Sequence, residues 1–323
     1  MLARTTNHIR LHAPRLLLGL VLAGCASARA PQSGTRDAMT GGATAAMTPI
    51  DWAAVDEALG RQGTTQDGGV RRYSMPRSDM QVTAAGVRLR PAFALGSWLA
   101  MKPTAHGVIA MGDLVLGEEE LNPVLLRLQE GGVGQTAIHH HVTRESPRVL
   151  YVHIHGHGDP VAVARTVRAA LALTATPAAT PGAPTAPAPA IDFDTAAVRA
   201  ALGHGGRANG GVYQVSVPRA EVIRDAGEEI PPNMGLATAI NFQPTGGGRA
   251  AITGDFVLTA REVNPVIKTL REHGIEVTSL HNHLLTDEPR LFFMHFWAND
   301  DAAKLARGLR AALDRTNSRR PGT

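Results

Sequence analysis

The chain has 323 residues, 44% hydrophobic, 19% charged and 4% aromatic, with 34 Gly, 21 Pro, 14 His, one Cys and a formal net charge of +4. That apolar content can build cores and the charge is near zero, which excludes a wholly disordered chain, and no apolar run reaches the roughly 18 residues of a spanning helix. The length suits two domains, and a single Cys rules out intramolecular disulfides, so stability has to come from packing or from metal.

The first 24 residues carry Arg4, Arg10 and Arg15 without an acid, followed by the apolar run from Leu16 to Leu22. This is the layout of a signal peptide. Its end, Leu22-Ala23-Gly24-Cys25, resembles the lipobox of bacterial lipoproteins, which makes Cys25 the expected lipidation site and first mature residue. The expected partner is then a membrane, reached through a lipid anchor at Cys25, and the expected location is outside the cytoplasm. In a host with two membranes that means the outer membrane, facing the periplasm. Losing three arginines brings the formal charge from +4 to about +1, which speaks against a nucleic-acid partner. Residues 25–49, rich in Ala, Gly, Ser and Thr, read as a flexible tether.

The segment from Gly112 to Leu171 aligns without a gap on Gly254 to Leu313 at a constant offset of 142, with 24 identities in 60 positions. This is a tandem duplication. The repeats are placed at residues 50–171 and 191–315, with a Pro, Ala and Thr tract at 172–190 as linker and a tail at 316–323. The second copy is read as a short helix from Val198 to Gly203, a strand from Val212 to Val217, and a hairpin of Ala237 to Gln243 with Arg249 to Leu258. A helix follows with Asn264 as N-cap, Pro265 at its first position and Gly274 at its end. Strands from Glu276 to Leu285 and Arg290 to Ala298 come next, then an amphipathic helix from Asp301 to Leu313. The fold class is α+β: a duplicated, mostly antiparallel sheet domain with packed helices.

The chemistry lies in the histidines. His281 and His283 share one strand face because side chains alternate with a period of two. A hairpin centred on Pro289 puts His295 opposite His283, so three imidazoles converge. The aligned set in the first copy is His139, His141 and His153. The same register places His281 opposite Trp297 and His139 opposite His155, which makes His155 a fourth ligand candidate, while His140 and His157 are read as bystanders. Three imidazoles on a rigid hairpin suit a zinc site, with copper or another divalent ion as the alternative cofactor.

Glu288, with Asp287, sits in the turn and is a candidate to orient a metal-bound water. Arg77 and Arg219 are candidates to meet an anionic substrate, or else to pair with a carboxylate such as Asp113 or Asp255.

Several blocks resemble the LppY/LpqO family of bacterial lipoproteins: Ile240-Asn241-Phe242-Gln243-Pro244, the run from Ala251 to Leu258, Leu280-His281-Asn282-His283, and the run from Glu288 to Trp297. The resemblance covers nearly the whole chain after the tether and implies little about function, since that family's function is unknown. The hairpin alone is distantly similar to that of the acetolactate decarboxylase and Ptd012-like three-His zinc proteins, without their Gly-Gly before the third His. Three function classes remain open: a non-enzymatic metal-binding lipoprotein, a zinc-dependent hydrolase or decarboxylase-like enzyme of the envelope, and a non-metal module binding a small molecule or envelope component.

Overall fold

The computed structural model describes residues 49–179 and 188–320. The signal peptide, Cys25 and the tether up to residue 48 lie outside the described residues, as do 180–187 of the linker and 321–323 of the tail.

The first repeat contains α1 (Trp52–Leu59), β1 (Arg71–Pro76), β2 (Gly96–Thr104), β3 (Gly107–Gly117), α2 (Glu118–Glu130), β4 (Gly134–His139), β5 (Val149–Gly158) and α3 (Pro160–Leu171). The second contains α4 (Thr195–Leu202), β6 (Val212–Pro218), β7 (Ala237–Gly246), β8 (Arg249–Thr259), α5 (Ala260–Glu272), β9 (Glu276–His281), β10 (Leu291–Asp301) and α6 (Ala302–Leu313). Strand order is β1-β2-β3-β5-β4 in one sheet and β6-β7-β8-β10-β9 in the other, each with a short extra strand beside its first member. Every pairing is antiparallel, as expected for the duplicated α+β domain.

The β3 and β8 runs Val108 to Leu116 and Ala250 to Leu258 are buried without a break, which an antiparallel strand shows only when both sheet faces are covered. Parity sorts the two covers. Even positions such as Val108, Ala110, Leu114 and Leu116 pack with Val163 and Val167 of α3. Odd positions face the other repeat: Ile109 and Met111 share a core with Val257, Leu291 and Phe293, and Val115 and Tyr151 share one with Ala251 and Trp297. The two sheets therefore lie face to face with helices outside.

The repeated Gly-Asp block has a packing reason. A Cβ on Gly254 would lie 1.9 Å from the Ala239 carbonyl oxygen, and one on Gly112 would lie 2.6 Å from that of Trp98. Only glycine fits there, and the next residue, Asp113 or Asp255, points to the inter-repeat face.

Three expectations need correction. The helix expected to start at Asn264 begins at Ala260, because Thr259 is its N-cap and Glu262 accepts the Thr259 amide at 2.7 Å; Asn264 and Pro265 lie inside it. The His-x-His strand ends at His281 and does not run on to Leu285. The turn residues Asp287–Glu288 instead form a strand of their own against Ile223–Asp225, and the Asp287 carboxylate accepts the Leu291 amide at 2.8 Å. The hairpin register is shifted as a result: His281 pairs with Phe293 and His295 with Ser279, and in the first repeat His139 pairs with Tyr151. Trp297 and His155 pair instead with Glu276 and Gly134. Beyond the second repeat, the Asn317 amide donates to Glu262 at 2.8 Å, as Ala175 after the first repeat donates to Glu120 at 2.9 Å.

Candidate metal centre

The register shift is even, so His281 and His295 keep the shared face that alternation assigned them. His283, beyond the strand end, is held separately: its Nδ1–H donates to the Gly235 carbonyl at 2.9 Å. His295 donates in the same way to Gly254 at 2.7 Å, and His153 lies 3.4 Å from the Gly112 carbonyl. A ring whose Nδ1–H is tied to a carbonyl presents a bare Nε2 lone pair, the form that binds metal. His139, His153, His283 and His295 are buried, and His141 and His281 half-buried.

The six imidazoles do not form one triad per repeat, as the aligned spacing led us to expect; they interleave across the interface. His139 Nε2 lies 3.3 Å from His295 Nε2, and His281 Nε2 lies 3.3 Å from His153 Nε2. The rings of His139 and His281 stack between these pairs with centroids 3.8 Å apart. His141 packs on His295 at 3.9 Å and His283 on His153 at 3.8 Å. Each half of the cluster thus takes a His-x-His pair from one repeat and its third imidazole from the other. The contacts also exchange under the 142-residue offset: Thr136 Oγ1 donates to the His283 carbonyl and Thr278 Oγ1 to the His141 carbonyl, both at 2.6 Å. Such reciprocity defines an isologous interface.

Two carboxylates complete the cluster. Asp255 Oδ2 lies 2.9 Å from His283 Nε2, and Asp113 Oδ2 lies 3.4 Å from His141 Nε2, in neither case aligned as a hydrogen bond. Burial pushes the Asp255 carboxyl up to about 6 and raises Asp113 well above its ordinary value, with Asp255 adding its repulsion. Burial likewise pulls all six imidazoles below their ordinary value, His283 to about 3, so they are neutral at pH 7.

Among the described residues, Nδ1 of His139 and His281, Nε2 of His141 and His283, and Oδ1 of Asp113 and Asp255 are buried with no hydrogen-bond partner. Buried polar atoms are normally paired, and each orphan costs about 1–3 kcal/mol. So many in one place fit a site that a cation completes. Two sets of donors, His139, His281 and His295, and His153, His281 and His283, lie within 4.8 Å of one another and can hold a metal ion.

The other candidates fall elsewhere. His155 does not join the six; its Nε2 faces Asp225 at 3.1 Å. Glu288 is exposed in the strand paired with Ile223–Asp225, opposite Arg224, so the carboxylates at the cluster are Asp113 and Asp255 instead. Arg77 and Arg219 are buried to 1% and 2% exposure and fully engaged, Arg77 by Asp79, Glu120 and the Val115 carbonyl, Arg219 by Glu221, Glu262 and the Val257 carbonyl. They tie strands to α2 and α5 and offer nothing to a substrate. The sequence signal for Asp113 and Asp255 was the repeated Gly-Asp; nothing within one repeat signalled the exchange of ligands.

Fold and site together define a tandem antiparallel-sheet protein with a histidine and carboxylate cluster shared between its copies. The chain belongs to the family described as Domain of Unknown Function (DUF1259), which matches residues 53–173 and 196–315, one match per repeat. No curated protein matches it. One solved structure, "Crystal structure of a trimeric bacterial microcompartment shell protein PduB", aligns over 78% of this chain and 89% of its own at 11% identity with a TM-score of 0.21, too slight a likeness to carry an argument.

Proposed function

We propose that the two repeats clamp divalent cations, zinc foremost, between their sheets, and that the protein is a metal-binding lipoprotein of the cell envelope. The observation that carries the metal reading is the pair of 3.3 Å Nε2 separations, His139 to His295 and His153 to His281, in a cluster whose other buried donors are orphaned. Two zinc–nitrogen bonds of about 2.05 Å at a tetrahedral angle place their nitrogens about 3.3 Å apart. Imidazole with carboxylate is a borderline-to-hard donor set that suits zinc, with copper(II) as competitor. His153 and His295 expose only 4% each, which favours a closed, storage or structural site over hydrolysis, since catalytic zinc keeps an open position.

Metal-free full-length protein, purified without a His tag and dialysed against zinc, is expected to retain at least one tightly held ion per chain. His281→Ala, common to both donor sets, should weaken retention most, and His283→Ala should weaken it through the set shared with His153. Failure of the wild type to retain zinc, copper or cobalt against a micromolar chelator would sink the reading.

The envelope reading rests on the lipobox-like Leu22-Ala23-Gly24-Cys25 and the LppY/LpqO resemblance. Cys25→Ala should stop incorporation of labelled fatty acid and release the protein from membranes; an unchanged membrane fraction would count against an anchor at Cys25.

A further inference from the structure

We propose that His155, His157 and Asp225 form a separate divalent-cation site at the rim of the interface. β5 places His153, His155 and His157 on one face, buried, half-buried and exposed in turn, so the row runs from the cluster out to solvent. Asp225 comes from the second repeat with a side chain only 1% exposed. Its Oδ1 accepts a hydrogen bond from Thr286 Oγ1 at 2.7 Å, which fixes the carboxylate and aims Oδ2 at His155 Nε2, 3.1 Å away. Both of those atoms are buried and lack an aligned hydrogen-bond partner. The His155 and His157 rings stand nearly perpendicular, at 81° with centroids 4.5 Å apart, and donor atoms of all three residues lie within 4.8 Å of one another. Two imidazoles and a carboxylate, with one ligand at the surface, suit a zinc or copper(II) ion that keeps water in its remaining positions and exchanges with solvent.

The opposite end of the interface shows that this is no by-product of the duplication. Asp225 pairs with Asp287 just as Ala84 pairs with Glu145, so Ala84 is its counterpart, and the counterparts of His155 and His157 are Trp297 and Asn299. There Trp297 packs edge-on against Phe93 with centroids 6.1 Å apart, within one apolar core that includes Ala84. One end is an apolar plug; the other carries three donors.

The site uses none of the six clustered histidines, so it stands or falls by itself. In equilibrium dialysis of the full chain against zinc, His157→Ala, at an exposed position that should not disturb folding, is expected to lose one equivalent from the weaker class and none from the tight class. Asp225→Asn should weaken that class at least tenfold. His283→Ala should leave it intact, which separates this outcome from failure of the buried cluster. Equal uptake and affinity in the wild type, His157→Ala and Asp225→Asn would mean that His155 and Asp225 are an ion pair only, and would overturn the proposal.

Discussion

Metal-free protein is expected to lose stability steeply as the pH falls below 6.5, by up to about 5 kcal/mol per pH unit. The six clustered imidazoles are neutral in the fold because burial lowers their pKa from 6.5. An unfolded chain takes up those six protons near pH 6.5, so acid favours unfolding from there down to the folded values, about 3 for His283. Asp113 and Asp255 act in the opposite sense. Their raised values let the folded state hold protons that the unfolded state lacks, for Asp255 between 3.8 and about 6. Six imidazoles against two carboxyls leave a net four protons, at about 1.4 kcal/mol per pH unit each. Urea unfolding in EDTA at pH 7.5, 6 and 5 should show the midpoint collapsing. Zinc at a hundredfold excess over its Kd should add about 2.7 kcal/mol per site at pH 7.5, and should protect less as protons compete for the imidazoles. A midpoint that stays level from pH 7.5 to 5 without metal would contradict a buried neutral cluster.

Arg219→Ala is expected to cost about 3–5 kcal/mol, because it strands charge inside the protein. Burial works to raise the Glu262 carboxyl, but hydrogen bonds from Arg219 and the Thr259 amide outweigh it and hold the group below its ordinary value. Without the guanidinium, the Glu262 and Glu221 carboxylates lose their shared counter-charge beside the start of α5. Chemical denaturation should show the loss, while zinc content of the folded fraction stays at the wild-type level. Arg219→Met with Glu262→Gln should recover much of the stability, since the stranded charge is gone. If Arg219→Ala left stability unchanged but altered binding of an anion, the residue would belong to a site and not to the core.

What the sequence revealed follows from what local chemistry controls. The duplication, the strand faces and the shared face of His281 and His295 were legible because the 142-residue offset and strand parity are local properties. Register was not, because Asp287–Glu288 leave the turn to pair with Ile223–Asp225, a partner more than sixty residues upstream that no hairpin rule anticipates. The start of α5 was misplaced for a different reason: Pro265 looks like a first-turn proline, but Glu262 closes a capping box one turn earlier. The interleaving of His139 with His295 and of His153 with His281 lies in the docking of two sheets, and Asp225 joins His155 by the same docking.

The reciprocal bonds of Thr136 with the His283 carbonyl and of Thr278 with the His141 carbonyl are those of a two-fold dimer, here written into one polypeptide. Joining the halves turns a concentration-dependent encounter into an intramolecular one, at an effective concentration in the millimolar range for a short connection. It also lifts an obligation. In a homodimer every change appears twice, once at each end of the axis, so a ligand introduced at one rim is forced on the other. A fused pair can break that symmetry, and this chain has done so, placing Asp225, His155 and His157 at one rim and Ala84, Trp297 and Asn299 at the other. Ancestry as a dimer would account for the matched centre, and covalent fusion for the freedom of the two ends to diverge.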